Sequence, residues 1–292
     1  MNEAAAVGEQ VVGGVRVPPF FYGTAWKEEA TEGLVREALA AGFRGFDTAG
    51  QRKHYHEAAV GAALRAALAA GEVRREELFV QTKFTHLAGQ DHRLPYDPAA
   101  PVATQVRQSF ARSLEHLGVE RLDSLVLHGP CVRVGLHPDD EAAWEAMQGI
   151  HAEGGARLLG VSNVSREQLV AFCERGPVPP AFVQNRCFAA LGWDAEVRAE
   201  CRARGIVYQG FSLLTANRRE IDRPAIAKAA ARLGATPEQV VFRFALEVGM
   251  LPLTGTSDPR HMREDLAVLH ARFALTPEER EAIEGVGLHG RP

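Results

Sequence analysis

Short apolar runs and longer amphipathic stretches alternate along the whole 292-residue chain. The runs are "FFYGTA" (20–25), "FRGFDTA" (43–49), "LFVQTKF" (78–84), "SLVLHG" (124–129), "LLGVSN" (158–163), "FVQNR" (182–186), "IVYQGFS" (206–212) and "MLPLTG" (250–255). Their lengths and their apolar character predict eight strands. Between them apolar residues recur at spacings of three and four, as in Val60, Ala63, Leu64, Ala67 and Leu68, or Val102, Val106, Phe110, Leu114 and Leu117. That spacing draws one apolar stripe along a helix, and each stripe needs a sheet to cover. Helix starts are written at Ser165 with Gln168, a capping box, and at Thr236-Pro237 and Thr276-Pro277, an N-cap before a first-turn proline. Gly42, Gly205 and Gly234 stand where helices would stop.

Eight strands alternating with helices predict a (β/α)8 TIM barrel, an α/β fold occupying residues 1–292 as one domain, with "VVGGVRVPP" as an N-terminal β-hairpin. An open doubly wound sheet would alternate in the same way, but no GxGxxG follows the first strand. In a barrel the chemistry gathers at the C-terminal ends of the strands. Those ends carry Thr24, Asp47, Lys83, His128, Ser162 with Asn163, Gln184 with Asn185, Ser212, and Thr254 with Gly255.

Composition narrows the partners. With 33 basic and 37 acidic residues the net charge is -4, and no run of five like charges appears. No field is available to grip nucleic acid or an anionic membrane, so a small molecule is the expected partner of a monomer or homodimer. The N-terminus "MNEAAAVGEQVVGG" has no basic region followed by a long apolar one, and no apolar stretch reaches membrane length, so a cytoplasmic protein is expected. Cys131, Cys173, Cys187 and Cys201 are scattered, without a CxxC pair or a histidine at zinc-ligand spacing. Reduced, mostly packed thiols and no metal site are the expectation.

Asp47 and Lys83 end neighbouring strands and can form a buried ion pair, whose ammonium would lower the pKa of a nearby tyrosine. His128 beside them could hydrogen-bond a carbonyl oxygen and orient it. Ser162, Asn163 and Gln184 offer the hydroxyl and amide groups that a flat carboxamide would want, and Phe211 could lie against an aromatic ring. Together they look like a nicotinamide berth.

In their order along the chain, "GFRGFDTA", "EAAVGAAL", "LFVQTKF", "SLEHLGVERLDSLVLHGP", "LLGVSN", "FVQN", "TPEQVVFRFAL" and "DPRHMREDL" resemble the aldo-keto reductase superfamily. The resemblance runs from about residue 20 to residue 269. It implies reduction of a carbonyl compound with NADPH, NADH being possible. By position the family's catalytic aspartate, lysine and histidine fall on Asp47, Lys83 and His128. Its carboxamide set falls on Ser162, Asn163 and Gln184, and its stacking aromatic on Phe211. The family's phosphate and adenine contacts fall on Gly255, Thr256 and His261, then on Glu264 and Asp265. Thr24 and Ser212 complete the cofactor set, and Trp26, His54 and Arg186 are candidates for contact with substrate.

The sequence departs from the family where the proton donor belongs. "GQRKHYHE" is two residues longer than the spacing between the Asp-Thr-Ala triplet and the family's glutamate. Aligned from the left, the donor's position is Arg52; aligned from the right it is His54, with Tyr55 beside it. Tyr55 is the tyrosine in reach and the candidate donor, and His54 is the alternative. His56 reads as a surface loop residue. The charge clamp for a 2′-phosphate is thin, with Arg260 or Arg263 as helpers, and Asp265 stands where the family has asparagine. Leu213 replaces a proline, and the sequence ends at "GLHGRP" without the long segment many members fold over the substrate. Substrate selection therefore falls on Trp26, Arg186 and the loop "THLAGQDHRLPYDPAAP" (85–101).

Two other readings remain open: a barrel that binds the cofactor but has lost catalysis and acts as a sensor, and a metal-dependent hydrolase built on His54, His56 and His128.

Overall fold

The computed structural model describes residues 6–288. Two short strands, β1 (Gln10–Val12) and β2 (Val15–Val17), pair antiparallel across Gly13 and Gly14. Both glycines take positive φ, 52° and 76°, as a two-residue hairpin turn demands. Eight strands follow: β3 (Phe21–Gly23), β4 (Gly45–Asp47), β5 (Phe79–Phe84), β6 (Leu122–Leu127), β7 (Ala156–Ser162), β8 (Phe182–Arg186), β9 (Val207–Phe211) and β10 (Met250–Thr254). They close a barrel in chain order, β10 pairing back with β3, and every pairing is parallel.

The helices are α1 (Thr31–Ala41), α2 (Glu57–Ala69), α3 (Val102–Leu117), α4 (Pro138–Ala152), α5 (Arg166–Cys173), α6 (Ala195–Arg204), α7 (Arg218–Ile221), α8 (Pro224–Leu233), α9 (Pro237–Glu247), α10 (Pro259–Ala267) and α11 (Pro277–Glu284). Ser165, Thr236 and Thr276 cap α5, α9 and α11 as their motifs predict, each accepting the third residue's N–H. Gly42, Gly205 and Gly234 end α1, α6 and α8 in the left-handed conformation. Strand β6 starts two residues earlier than the apolar run suggests, because Asp123 can be buried there. Its carboxylate accepts from Val80 N–H at 2.9 Å and from the Arg75 guanidinium at 2.8 Å.

Paired residues in a parallel sheet point to the same face, so the register separates two cores. Phe46, Val80, Phe84, Leu125, Leu127, Leu159, Val161, Val183 and Tyr208 face the helices in the larger one. Phe21, Phe79, Leu158, Phe182, Leu251 and Leu253 fill the barrel's interior near its N-terminal end, where Val15 and Val17 of the hairpin seal it. Gly45 belongs to this inner layer, and a methyl group there would come within 2.2 Å of the Phe21 ring. Among the described residues no helix is long and apolar enough to cross a membrane.

Candidate active site

Above the apolar plug the barrel interior turns polar. Alternation along "FVQTKF" points Phe79, Gln81 and Lys83 inward, and along "FVQNR" and "VYQGF" it does the same for Gln184 and Gln209. The three amides form a closed layer, with Gln81 Nε2 and Gln184 Nε2 donating to Gln209 Oε1 at 2.8 and 2.9 Å. Both also donate to Asp47 Oδ1, at 2.7 and 2.9 Å. Lys83 Nζ donates to both Asp47 oxygens at 2.7 and 2.6 Å and to the Thr48 carbonyl at 2.8 Å. The ion pair is buried, with Asp47 at the floor of the cleft, and every proton of the ammonium has an acceptor.

Tyr55 stands over this pair, its ring centroid 5.1 Å from Lys83 Nζ and 5.9 Å from the His128 ring. The longer loop reaches there because it is pinned at both ends. Gln51 accepts from Tyr55 N–H at 3.0 Å through its carbonyl, while its side chain donates to the Gly89 carbonyl at 2.6 Å. At the other end Glu57 is buried and accepts from the Thr82 and Ser113 hydroxyls at 2.5 and 3.0 Å. The extra residues bulge outward: Lys53 is exposed, and Arg52 faces Glu28 and Glu29 at 3.4 Å.

The electrostatics differ from the sequence expectation in one respect. Burial, and next the charge of Asp47, push the Tyr55 phenol well above its ordinary pKa. Lys83 cannot lower it unopposed, because its ammonium is neutralised by Asp47 in direct contact. Burial and then the Lys83 charge hold His128 down to about 3, so its imidazole is neutral at pH 7. His128 Nδ1 lies 2.7 Å from Thr85 Oγ1. His54 stacks on Trp26 with ring centroids 3.8 Å apart, and Trp26 N–H donates to the His54 carbonyl at 2.7 Å. Burial and the neighbouring Lys53 lower the His54 pKa.

A cleft of about 1270 Å³ runs from this centre across the C-terminal ends of the strands to α10. Asp47, His54, Tyr55, His128, Trp26, Ser162, Asn163, Gln184, Arg186, Phe211, Ser212, Gly255, Thr256, His261, Glu264 and Asp265 all line it. Thr24 does not: it is wholly buried, and its hydroxyl donates to the Asp47 carbonyl at 2.9 Å, bracing β4 instead of meeting a ligand. Asn185 is likewise internal, with its amide bonded to Val164 and Asp194. Gln184 and Asn163 present their oxygens to the cleft side more freely than their nitrogens, which are engaged by Asp47, Gln209, the His128 carbonyl and Ser162.

The loop 85–101 contributes no residue to the cleft wall. It folds down instead, Gln90 Nε2 donating to the Gly50 carbonyl at 2.9 Å and Tyr96 Oη to the Thr85 carbonyl at 2.7 Å. His56 is half-buried at the N-cap position of α2, where its side chain makes no cap hydrogen bond and Nδ1 is buried, so it is not the surface residue expected. It borders a separate pocket behind Tyr55. No group of three clustered metal-ligand atoms among the described residues includes His54, His56 or His128, which removes the geometric basis of the hydrolase reading.

Several cleft residues escape the sequence reading. Lys27 is buried at the cleft wall, its Nζ donating to the Gly255 carbonyl at 2.6 Å, and burial lowers it to about 8. Residues 212–216 form one turn closed by Ala216 N–H on the Ser212 carbonyl at 2.9 Å. The N–H groups that follow Ser212 are the orphans of its first turn, and Leu213, Leu214 and Thr215 line the cleft there. Lys27 directly follows Trp26, but the register of a lysine on a loop carries no signal of burial. The inward glutamines, by contrast, are legible as polar residues at every second position of apolar strands.

Asp265 is buried beside Thr254, and desolvation pushes its carboxyl up to about 7 from 3.8. The folded protein therefore keeps a proton that the unfolded chain releases between these values. Stability should fall as pH rises through this window, by up to about 4 kcal/mol, and level off above it. Asp265→Asn is expected to remove that slope, as read from urea denaturation between pH 4 and 8.

The Aldo/keto reductase family model matches residues 20–287. An aldo-keto reductase of Mycobacterium avium is 33% identical over 259 residues, covering 89% of this chain and 82% of its own. One from Mycobacterium tuberculosis is 32% identical over 259 residues, with 89% and 83% covered. Aldo-keto reductase family 1 member C1 of Macaca fuscata fuscata is 28% identical over 290 residues, with the same shares. Among solved structures, an aldo-keto reductase crystallised with NADPH superposes with a TM-score of 0.82 at 22% identity, over 97% of this chain and 88% of its own. Barrel, strand-end chemistry and sequence agree, and the chain belongs to the aldo-keto reductase family of oxidoreductases.

Proposed function

We propose that the protein reduces an aldehyde or ketone to the alcohol with NAD(P)H, Tyr55 being the proton donor. The observation that carries this reading is the convergence of Tyr55, the buried Asp47–Lys83 pair and neutral His128 at one end of the cleft. The cleft fits the cofactor. Its volume of about 1270 Å³ exceeds the roughly 300–1,000 Å³ of ordinary small-molecule sites. It offers the Phe211 ring near the reacting end, the Lys27 ammonium and the orphan N–H groups after Ser212 for phosphates, and Glu264 with Asp265 at the far end. Arg260 and His261 sit at its rim and are the groups available to a 2′-phosphate, while Arg263 lies outside.

When bound, the nicotinamide supplies the hydride that adds to the carbonyl carbon. Tyr55, protonated throughout the neutral range, gives its proton to the carbonyl oxygen as negative charge develops there. The phenolate left behind is stabilised by Lys83, and Asp47 with its glutamine layer holds that ammonium in place. In the tautomer whose Nδ1 accepts from the Thr85 hydroxyl, His128 carries its proton on Nε2 and can donate to the same carbonyl oxygen, fixing its orientation. Trp26, His54 and Arg186 form the wall against which the rest of the substrate lies.

Fluorescence titration with NADPH and with NADH, followed by cofactor oxidation with a panel of aldehydes and ketones, tests this. Saturable binding with turnover is expected; binding without turnover would indicate a sensor, and no binding would reject the reading. Lys27→Met should weaken cofactor binding about tenfold, the value of roughly 1.5 kcal/mol for a hydrogen bond to a charged group.

A further inference from the structure

A second cluster of reactive side chains lies outside the cleft, on the loops that follow β5 and β6. His86 comes two residues after β5, Cys131 lies in the loop after β6, and Asp140 is in the first turn of α4. One ligand atom from each lies within 4.8 Å of the other two. His86 Nε2 faces Asp140 Oδ1 at 3.1 Å and is shut off from solvent. The His86 ring is held edge-to-face against Phe84, with centroids 5.2 Å apart, so it is already oriented. Asp140 is wholly buried and fixed by the N–H groups of Cys131 and His137, each at 2.8 Å. Cys131 lies at the surface, with its Sγ within 4.8 Å of the His86 and Asp140 ligand atoms.

We propose that His86, Cys131 and Asp140 bind a divalent transition-metal ion of the zinc type, which ties the loop after β5 to the loop after β6. Imidazole nitrogen, thiolate sulfur and carboxylate oxygen are the donors such an ion takes, and three of them leave a fourth position for water. Bonds of about 2.0–2.3 Å in tetrahedral geometry set ligand atoms roughly 3.3–3.8 Å apart. The His86–Asp140 spacing is near that edge length, and rotation of the Cys131 side chain closes the remainder. Cys131 would bind as thiolate, its proton passing to solvent. The expectation of no metal site rested on spacing within the sequence, whereas these ligands are gathered from three separated positions by the adjacency of β5 and β6.

The placement gives the ion a structural consequence. Thr85, which bonds His128, precedes His86, and Cys131 is three residues beyond His128. A bound ion would brace both chain segments that flank His128. None of this depends on the reductase reading.

Chelator-treated full-length protein titrated with Co²⁺ provides the test, with Zn²⁺ as competitor. The expected result is one Co²⁺ per chain, a thiolate-to-cobalt charge-transfer band, displacement by Zn²⁺, and a rise in melting temperature with Zn²⁺. Cys131→Ser should remove the band and the thermal shift. His86→Gln should weaken Zn²⁺ binding by more than the roughly 10–100-fold that loss of an outer-shell partner costs. Circular dichroism of each metal-free variant checks that it is folded. Absence of saturable Co²⁺ binding, undiminished binding in Cys131→Ser, or dependence on His137 instead of His86 would overturn the proposal. The last outcome would move the ion to the exposed trio of Cys131, His137 and Asp139.

Discussion

Tyr55→Phe is expected to lower kcat for carbonyl reduction by about 10²–10⁴-fold, the range that a positioned general acid supplies. Cofactor affinity should stay close to that of the parent, since the phenol is assigned to the reacting oxygen alone. The pH profile separates Tyr55 from His54, the other donor within the loop. The Tyr55 phenol is pushed well above its usual range, so it is still protonated through pH 9 and the rate should not fall for want of the acid. His54 is displaced the other way by burial and Lys53, so as donor it would lose its proton below the ordinary histidine value of about 6.5. A kcat/KM that declines steadily above pH 6, with activity retained in Tyr55→Phe, would transfer the role to His54.

Lys83→Met is expected to remove turnover and also to destabilise the fold by about 3–5 kcal/mol, because it leaves the Asp47 carboxylate buried without its counter-charge. Gln81 and Gln184 still donate to Asp47, which favours the lower end of that range. The double variant Asp47→Asn/Lys83→Met should recover most of the lost stability while remaining inactive. Urea denaturation of these two variants together with Asp47→Asn and the parent gives the coupling energy of the pair. If the single variant is no less stable than the double, the carboxylate is not held as an isolated charge and the account of the pair fails. This experiment separates electrostatic support of the site from simple loss of packing, since both variants carry the same methionine.

The positions of the strands were readable from local pattern alone, and so were the caps of α5, α9 and α11. Each depends on a few neighbouring residues, and hydrophobic period and capping geometry are local properties. Alternation within "FVQTKF" even carries the information that Gln81 and Lys83 share a face. Lys83, Asp47 and His128 were placed at strand ends for the same reason. Boundaries were less legible: β6 begins early because Asp123 finds partners in Arg75 and Val80, which are distant in sequence.

What surrounds those strand ends was decided elsewhere. Thr24 carries the same strand-end signature as Asp47, yet it turns its hydroxyl to a carbonyl inside the wall. The loop 85–101 is long and polar, as binding loops often are, but Gln90 and Tyr96 anchor it away from the cleft. Tyr55 could be weighed against His54 only by proximity, because two added residues leave the direction of each side chain undetermined until Gln51 and Glu57 pin the loop. The sign of the Tyr55 pKa shift also required the fold, since it is set first by how completely the phenol is buried and next by the charge of Asp47 beside it.

The sequence by itself determined the eight-strand alternation, the hairpin, the identity of the polar residues at the strand ends and the family resemblance, since these are written in periodicity and short motifs. Only the tertiary structure decided which of those residues meet: the closed glutamine layer under Asp47, the buried Lys27, the seating of Tyr55 and the gathering of His86, Cys131 and Asp140. Contacts of this kind depend on barrel closure and on where long loops come to rest, and burial then sets the charge and proton affinity of the groups brought together.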